Sequence, residues 1–477
     1  MWRDIARREL LDHLTSLRSL LVLVLAVILM GLNGVLTTGG QHQGRMQAYL
    51  QSRQQTADLL EERAADLAEL GIRGLERLDK QPSPLAFCAG GRDEYLPPGV
   101  EARIGATYGF SNAYLYEPWH LRYGVATAPP RAGVVAEAAD LDWGFIVGLV
   151  LSLMAVLLTY DGICGDRQAG TLPLVLGGAV PRAAVIGGKF AAALAVLLAA
   201  LALGVGVSLA ATAALGSLNI SLGLLAKAAA MLVAGGLYLA FFVACGLLVS
   251  TRCQRPATSL VTLVLLWTVL VFLVPNTTAG VVSAVDPAGG PTQADWDAAT
   301  EDNWVRHGIR QLDLGALAGR APRALVEKVA DFTADWLALD RRFAEERHRA
   351  SLEPVVRGMA VNRLLPHGAL QAALESLAGT GLSRHLRFLE EARRFERTFR
   401  QFVQTQDAAD PDSYHLVGVT AGMSHRAVVP EAIPQFEEDL SARASVAATA
   451  PDLLVLCLFA VAGFLAAHLA FLRAEVT

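Results

Sequence analysis

Uncharged apolar stretches recur along the chain at about 17–36, 143–160, 187–214, 224–249, 257–274 and 452–472. At about 1.5 Å of rise per residue, each can cross roughly 30 Å of hydrocarbon with some tilt. Six crossings put both chain ends on one side of a bilayer. Ahead of the first run, Trp2, Ile5, Ala6, Leu10, Leu14 and Leu17 share one helical face, while Arg3, Arg7, Arg8 and Arg18 fall largely elsewhere. That pattern predicts an interfacial helix. The first run is too long for a leader, acids interrupt the residues before it, and no A-x-A site follows Leu36, so it is read as a retained span.

Two long, more polar segments, 39–142 and 275–450, hold more than half of the 477 residues and are read as domains rather than connectors. In the second, Leu325, Val329, Phe332, Trp336, Leu339 and Phe343 keep a helical rhythm, as do Phe388, Ala392, Phe395, Phe399 and Phe402. Both runs predict amphipathic helices with an aromatic stripe. The stripes either pack on each other as a bundle core or line a groove for lipid cargo. The first segment opens with a helical pattern through Met46, Leu50, Ala57, Leu60, Ala64 and Leu67. It then turns Gly/Pro-rich, with Tyr95, Tyr108, Phe110, Tyr114, Tyr116, Trp119 and Tyr123. This reads as a compact loop or β-containing subdomain whose rings serve core packing or docking.

Short connections set the orientation. Arg3, Arg7, Arg8 and Arg18 precede the first span, Arg167, Arg182 and Lys189 follow the second, Arg252 and Arg255 follow the fourth, and Arg473 closes the chain. The connection at about 216–223 has no Lys or Arg. The positive-inside rule then predicts cytoplasmic termini and puts both long insertions on the outer side. Composition agrees with lipid as solvent: 53% of residues are hydrophobic and 18% charged, more apolar surface than one soluble core hides. A net charge of −5 excludes a nucleic-acid partner as the expectation. The five cysteines form no CxxC pair, which argues against a disulfide framework or thiolate metal site. Only four basic residues are lysine, a bias that matches GC-rich bacterial coding.

The connection after the second span concentrates charge and turn residues. It holds Asp161, then Asp166-Arg167, Gly170-Thr171-Leu172, Pro181-Arg182 and Gly188-Lys189, with Pro181 setting a turn and Lys189 marking re-entry at headgroup level. In this order the elements resemble the permease subunits of ABC type-2 exporters, in a subgroup with large extracytoplasmic insertions. In that family an acid ends the second span, and an acid-Arg pair, Gly-Thr-Leu, a short apolar helix, a Pro-x-Arg-like turn and Gly-Lys follow. Asp166 stands where Glu is more usual, and Gly177-Gly178-Ala179 replaces a Leu-Ser stretch, which bears on the length of the short helix. The resemblance implies a coupling helix seated in a groove of a separate ATPase. In that role Asp161, Asp166 and Arg167 would make charged contacts, and Leu172, Leu174 and Leu176 an apolar knob; Gly170, Thr171, Pro181, Arg182 and Lys189 complete the candidate site.

The chain itself has no nucleotide motif. Ala183 and Phe190 stand where a Walker A around Gly188-Lys189 needs Gly and Ser or Thr. Cofactors are therefore expected to be none in this chain, with ATP and Mg bound by the partner. Neither HExxH nor a G-x-S-x-G elbow occurs, so no enzyme activity is expected here. Small residues repeat every four positions at Ala200, Gly204 and Ser208 and at Gly236, Ala240 and Ala244, faces suited to close packing within the chain or across a permease dimer. Asn33 is the strongly polar side chain at mid-membrane, read as a bond to a neighbouring helix or a cargo contact.

The expectation is a mainly α, six-helix membrane protein. Residues 1–38 give the interfacial helix and first span, 39–142 the first extracytoplasmic insertion, and 143–274 spans two to five with the coupling loop 161–189. The second insertion is 275–450, and 451–477 is the last span and cytoplasmic tail. The expected role is the permease subunit of an ATP-driven transporter in a bacterial inner membrane, with export or extraction of an unidentified cargo. Its partners would be a cytoplasmic ABC ATPase, a second permease copy or homologue, the lipid bilayer and, in the alternative reading, a periplasmic protein. The alternative is ATP-driven mechanical transmission to that periplasmic partner without transport.

Overall fold

The computed structural model describes residues 2–37, 43–90, 96–102, 108–110, 113–115, 119, 121–122, 141–177, 181–215, 221–275, 277, 289–312, 322–416 and 419–474. The protein is mainly α. Among these residues six helices are long and apolar enough to cross a membrane: Leu17–Leu36, Trp143–Gln168, Arg182–Ala214, Leu222–Arg252, Pro256–Leu273 and Ala442–Leu472. The third and sixth start earlier than their apolar runs, because helix hydrogen bonding continues past the hydrocarbon-length stretch.

Tight approach of backbones builds the bundle. The Ala200, Gly204, Ser208 face of the third span lies on the first, where a Cβ on Gly204 would come 2.7 Å from Met30 Sδ and 3.2 Å from the Ala26 carbonyl. Gly34 answers from the other side, 2.8 Å from the Ser208 carbonyl by the same construction. Gly236 faces Leu198 on the third span, and Ala244 faces Gly463 on the sixth. Both small-residue stripes are thus used inside this chain. Asn33 is bonded rather than open: its amide donates to the carbonyls of Phe87 (2.9 Å) and Leu141 (2.6 Å), and its oxygen accepts from Ser208.

The helix α1 (Trp2–Leu14) runs against the third span, with Ile5 and Ala6 over Gly188. Leu14 at its end and Leu17 at the start of the first span stay exposed, so the apolar face read from the sequence is only partly covered. In the insertions, α2 (Gln43–Arg63) and α3 (Leu67–Arg73) precede a three-stranded antiparallel sheet of β1 (Arg77–Asp79), β2 (Gly99–Ala102) and β5 (Leu121–Arg122). A hairpin joins β3 (Tyr108–Phe110) to β4 (Ala113–Leu115). Of the aromatic window, Trp119 is buried against Phe395 and Phe399, with its indole N–H on the Leu75 carbonyl at 2.7 Å. Tyr95, Tyr116 and Tyr123 lie outside the described residues.

After the short helix α4 (Thr171–Gly177) in the connection, the second insertion supplies α5 (Gln293–His307), α6 (Arg323–Asn362), α7 (Pro366–Ala378) and α8 (Gly381–Ala408). The two aromatic stripes enter separate cores. Val329, Phe332 and Trp336 of α6 pack with Trp304 and Ile309 near α5. Phe388, Phe395 and Phe399 of α8 pack with Leu67, Leu70 and Trp119 of the first insertion. Within the second insertion a buried Arg384–Glu438 ion pair at 2.8 Å holds Gln81 of the first, Arg384 donating to the Gln81 carbonyl and Glu438 accepting from the Gln81 N–H at 2.9 Å, and Val428 N–H donates to the Ala64 carbonyl at 2.7 Å. Among the described residues, the two insertions therefore share one core and are treated as one insertion unit.

Both insertions also reach into the bundle. Leu85, Cys88 and Ala89 of the first, and Ala369, Leu370, Ala373, Leu374 and Leu377 of α7, belong to the same core as Met30, Leu151, Leu201 and Phe242 of the spans.

Candidate functional site

At the bundle end that carries both termini, the second span stops in a turn at 160–163. The amides of Ile163 and Cys164 both donate to Ser250 Oγ on the fourth span, at 3.0 and 3.1 Å, which fixes the point of exit. A short helix Cys164–Gln168 follows, and Gly170 at φ +71° reverses the chain into α4. Left-handed backbone there favours glycine. Thr171 Oγ1 caps the turn by donating to the Asp166 carbonyl at 3.2 Å.

Three charges of this elbow are held by the chain itself. Asp161 accepts from Arg18 at 2.7 Å, and the same guanidinium donates to Tyr160 Oη at 2.9 Å and lies 5.0 Å from the ring centre. Asp166 pairs with Lys189 Nζ at 2.9 Å, and Lys189 pairs at once with Glu9 of α1 at 2.7 Å. Arg167 donates to the Cys253 carbonyl at 3.1 Å on the connection before the fifth span. Burial keeps the nearby His13 imidazole below its ordinary value despite Glu9 and Asp161, so it is neutral near pH 7. Pro181 opens the third span in extended backbone, and Arg182 donates to the Leu472 and Ala474 carbonyls at 2.8 and 3.1 Å, tying that span to the end of the sixth. Residues 178–180 between α4 and Pro181 lie outside the described residues.

The geometry separates brace from tip. Leu172 is 3% exposed and anchors α4 on the bundle, whereas Leu174 is 78% exposed and Pro173 and Val175 are exposed beside it. Lys189 is nearly buried between two carboxylates from different segments, which ties α1, the elbow and the third span together. Glu9 and Asp166 keep part of their surface in solvent, so removing the ammonium costs about 1–3 kcal/mol rather than the full penalty of a buried charge.

Glu9, Arg18 and Ser250 complete this arrangement and were not singled out by motif. Glu9 had a visible signal: an acid beside the apolar face of an Arg-rich helix. Ser250 had none. Gly204, Ser208, Gly236 and Ala240 lie in the spans, away from the elbow, in helix packing.

The described residues thus combine six membrane-length helices with a braced, apolar-tipped elbow at the end that carries both termini. The family model described as ABC-2 family transporter protein matches residues 3–476, and this chain belongs to that family. It is a transmembrane permease of an ABC transporter, a class that works with an ATPase partner. No curated protein matches it.

Proposed function

We propose that this chain couples ATP hydrolysis by a separate cytoplasmic ABC ATPase, which binds ATP and Mg, to export of a cargo or its extraction from the outer leaflet. In this reading the chain is not itself an enzyme. It sits in a bacterial inner membrane with both termini and the 161–189 elbow cytoplasmic, the insertion unit outside, and a second permease copy or homologue beside it. The exposed Leu174–Val175 tip on a charge-braced helix carries the reading. Two large apolar side chains are exposed on a short helix that follows the charge-braced turn and is anchored by Leu172, as a knob for a preformed groove requires. Nucleotide-driven closure of that groove would push α4, and the Asp166–Lys189–Glu9 and Arg18–Asp161 bridges would pass the push to the first and third spans.

Leu174→Asp puts a charge into the knob without touching the brace. Co-purification with the ATPase should fall at least tenfold while insertion and yield stay normal; full retention would overturn the assignment. A second reading, mechanical transmission to a periplasmic partner without transport, draws support from α7, an insertion helix seated inside the bundle core. It predicts a stoichiometric extracytoplasmic protein on gentle purification, and an ATPase rate indifferent to lipids and small molecules.

A further inference from the structure

All 13 residues of α7 are buried, yet it belongs to the insertion unit by sequence and to the span bundle by packing. Its deep end meets the second span in a two-rung seam. His367 and Gln371 are four apart on α7, and Gly148 and Gly144 are four apart on the span, so each pair shares one helical face. A Cβ on Gly148 would come 2.8 Å from His367 Cε1, and one on Gly144 would come 2.5 Å from Gln371 Oε1. A Cβ at Gly148 would have to push the His367 ring aside, and one at Gly144 the amide end of Gln371.

The span is not ordinary α-helix at this seam. Ile146–Leu151 is wound as a π-helix, with one extra residue in the turn. Its Gly148 carbonyl is taken by Tyr238 Oη of the fourth span at 2.9 Å and by Ser152 Oγ at 2.6 Å, and Ser152 in turn accepts from Trp267 Nε1 of the fifth span at 2.8 Å. At its other end the same span runs straight into the elbow. The outer end of α7 is tied to the first insertion: the Ala378 carbonyl accepts from Ser83 Oγ, and Thr380 Oγ1 donates to the Ala89 carbonyl at 2.8 Å.

We propose that the Gly144–Gln371 and Gly148–His367 seam is a two-position joint between the second span and the insertion unit, with His367 and Gln371 as its positioning residues. Returning the wide turn to α geometry removes one residue from it and rotates the segment beyond by about 100°. That rotation carries both glycines off the seam and brings side-chain-bearing neighbours against α7, which must then move with Ser83 and Ala89. The elbow and the insertion unit are in this way linked along a single helix.

The joint rests on the reading that a partner ATPase drives the elbow, and the test separates the two. The complex purified with its ATPase is placed in nanodiscs, and hydrogen exchange is compared without nucleotide and with ATP plus orthovanadate. In the wild type, exchange in α7 and in 83–90 should change at least tenfold on trapping. In His367→Ala/Gln371→Ala the ATPase should remain bound and hydrolyse ATP, the α8 core should keep its nucleotide-free protection, and the response in 83–90 should vanish. Gly148→Ala should also abolish the response, and adding His367→Ala, which clears the overlap, should restore part of it. A response that survives in the double variant, or none in the wild type while ATP is turned over, overturns the joint. Failure of any ATPase to co-purify overturns the reading beneath it and the joint with it.

Discussion

Lys189 shows how one side chain sets the geometry of the elbow. Its ammonium is nearly buried and answers two carboxylates, so Lys189→Met leaves Glu9 and Asp166 facing each other with no cation between them. A stability loss of about 1–3 kcal/mol is expected, because both carboxylates keep some solvent, read as a fall in the thermal midpoint in detergent. Restoration by Glu9→Gln/Asp166→Asn in the same background would confirm that unpaired charge, rather than lost packing, is responsible. His385 on α8 makes a prediction on pH. Burial first, and then the nearby Lys80 and His348, lower its pKa from 6.5 to about 3. The unfolded chain therefore binds a proton that the folded one refuses between those values. Stability is complete above pH 6.5 and is lost as pH falls towards 3. Moving from pH 6.5 to 5 should cost about 2 kcal/mol from this group, and His385→Gln should flatten that part of the profile. An unchanged slope in the variant would refute the assignment. Legibility at this scale was uneven. Asp161, Asp166 and Lys189 stood out because charge at a span end is conspicuous, but Glu9 and Arg18 are 180 and 143 residues from the groups they bind, and no local pattern records such pairings.

Among the elements, the spans are legible because lipid leaves the backbone no alternative to long apolar helices. Their mutual packing was half legible. The small-residue stripes announced close contact, but which helix each would meet depends on tertiary arrangement. The structure puts Gly204 on Met30 and Ala26, so Gly204→Leu should lower the thermal midpoint by the equivalent of about 1–3 kcal/mol through overpacking; wild-type stability would contradict that contact. Gly170→Val tests the elbow's reversal, since φ +71° is costly for a β-branched residue. It should leave the spans intact and lower ATPase co-purification by misaiming α4. The helix α7 was missed because thirteen residues are too few to cross a bilayer, and Pro366, His367, Gln371 and Glu375 break up its apolar character. Its burial comes entirely from neighbours remote in sequence. The π-wound turn of the second span likewise has no signature in a run of Ile, Val, Gly and Leu.

For the molecule as a whole, hydrophobic patterning anticipated a six-span protein with two insertions, and the family match agrees with a permease. Patterning did not show that the insertions share one core, with the buried Arg384–Glu438 pair holding Gln81, nor that this unit grips the bundle through Leu85–Ala89 and α7. Those junctions join residues some 300 positions apart, as between Ser83 and Ala378. In the proposed coupling, a push at α4 would travel through the braced elbow, the second span and the Gly144–Gly148 seam to the insertion unit. The account stands or falls on what covers the tip of α4. A photo-crosslinking amino acid placed at Leu174 in native membranes tests this most directly. The account predicts an adduct with the ABC ATPase that intensifies when nucleotide is trapped; an adduct only with lipid, or reaction of the site with an impermeant reagent added from outside the cell, would contradict it.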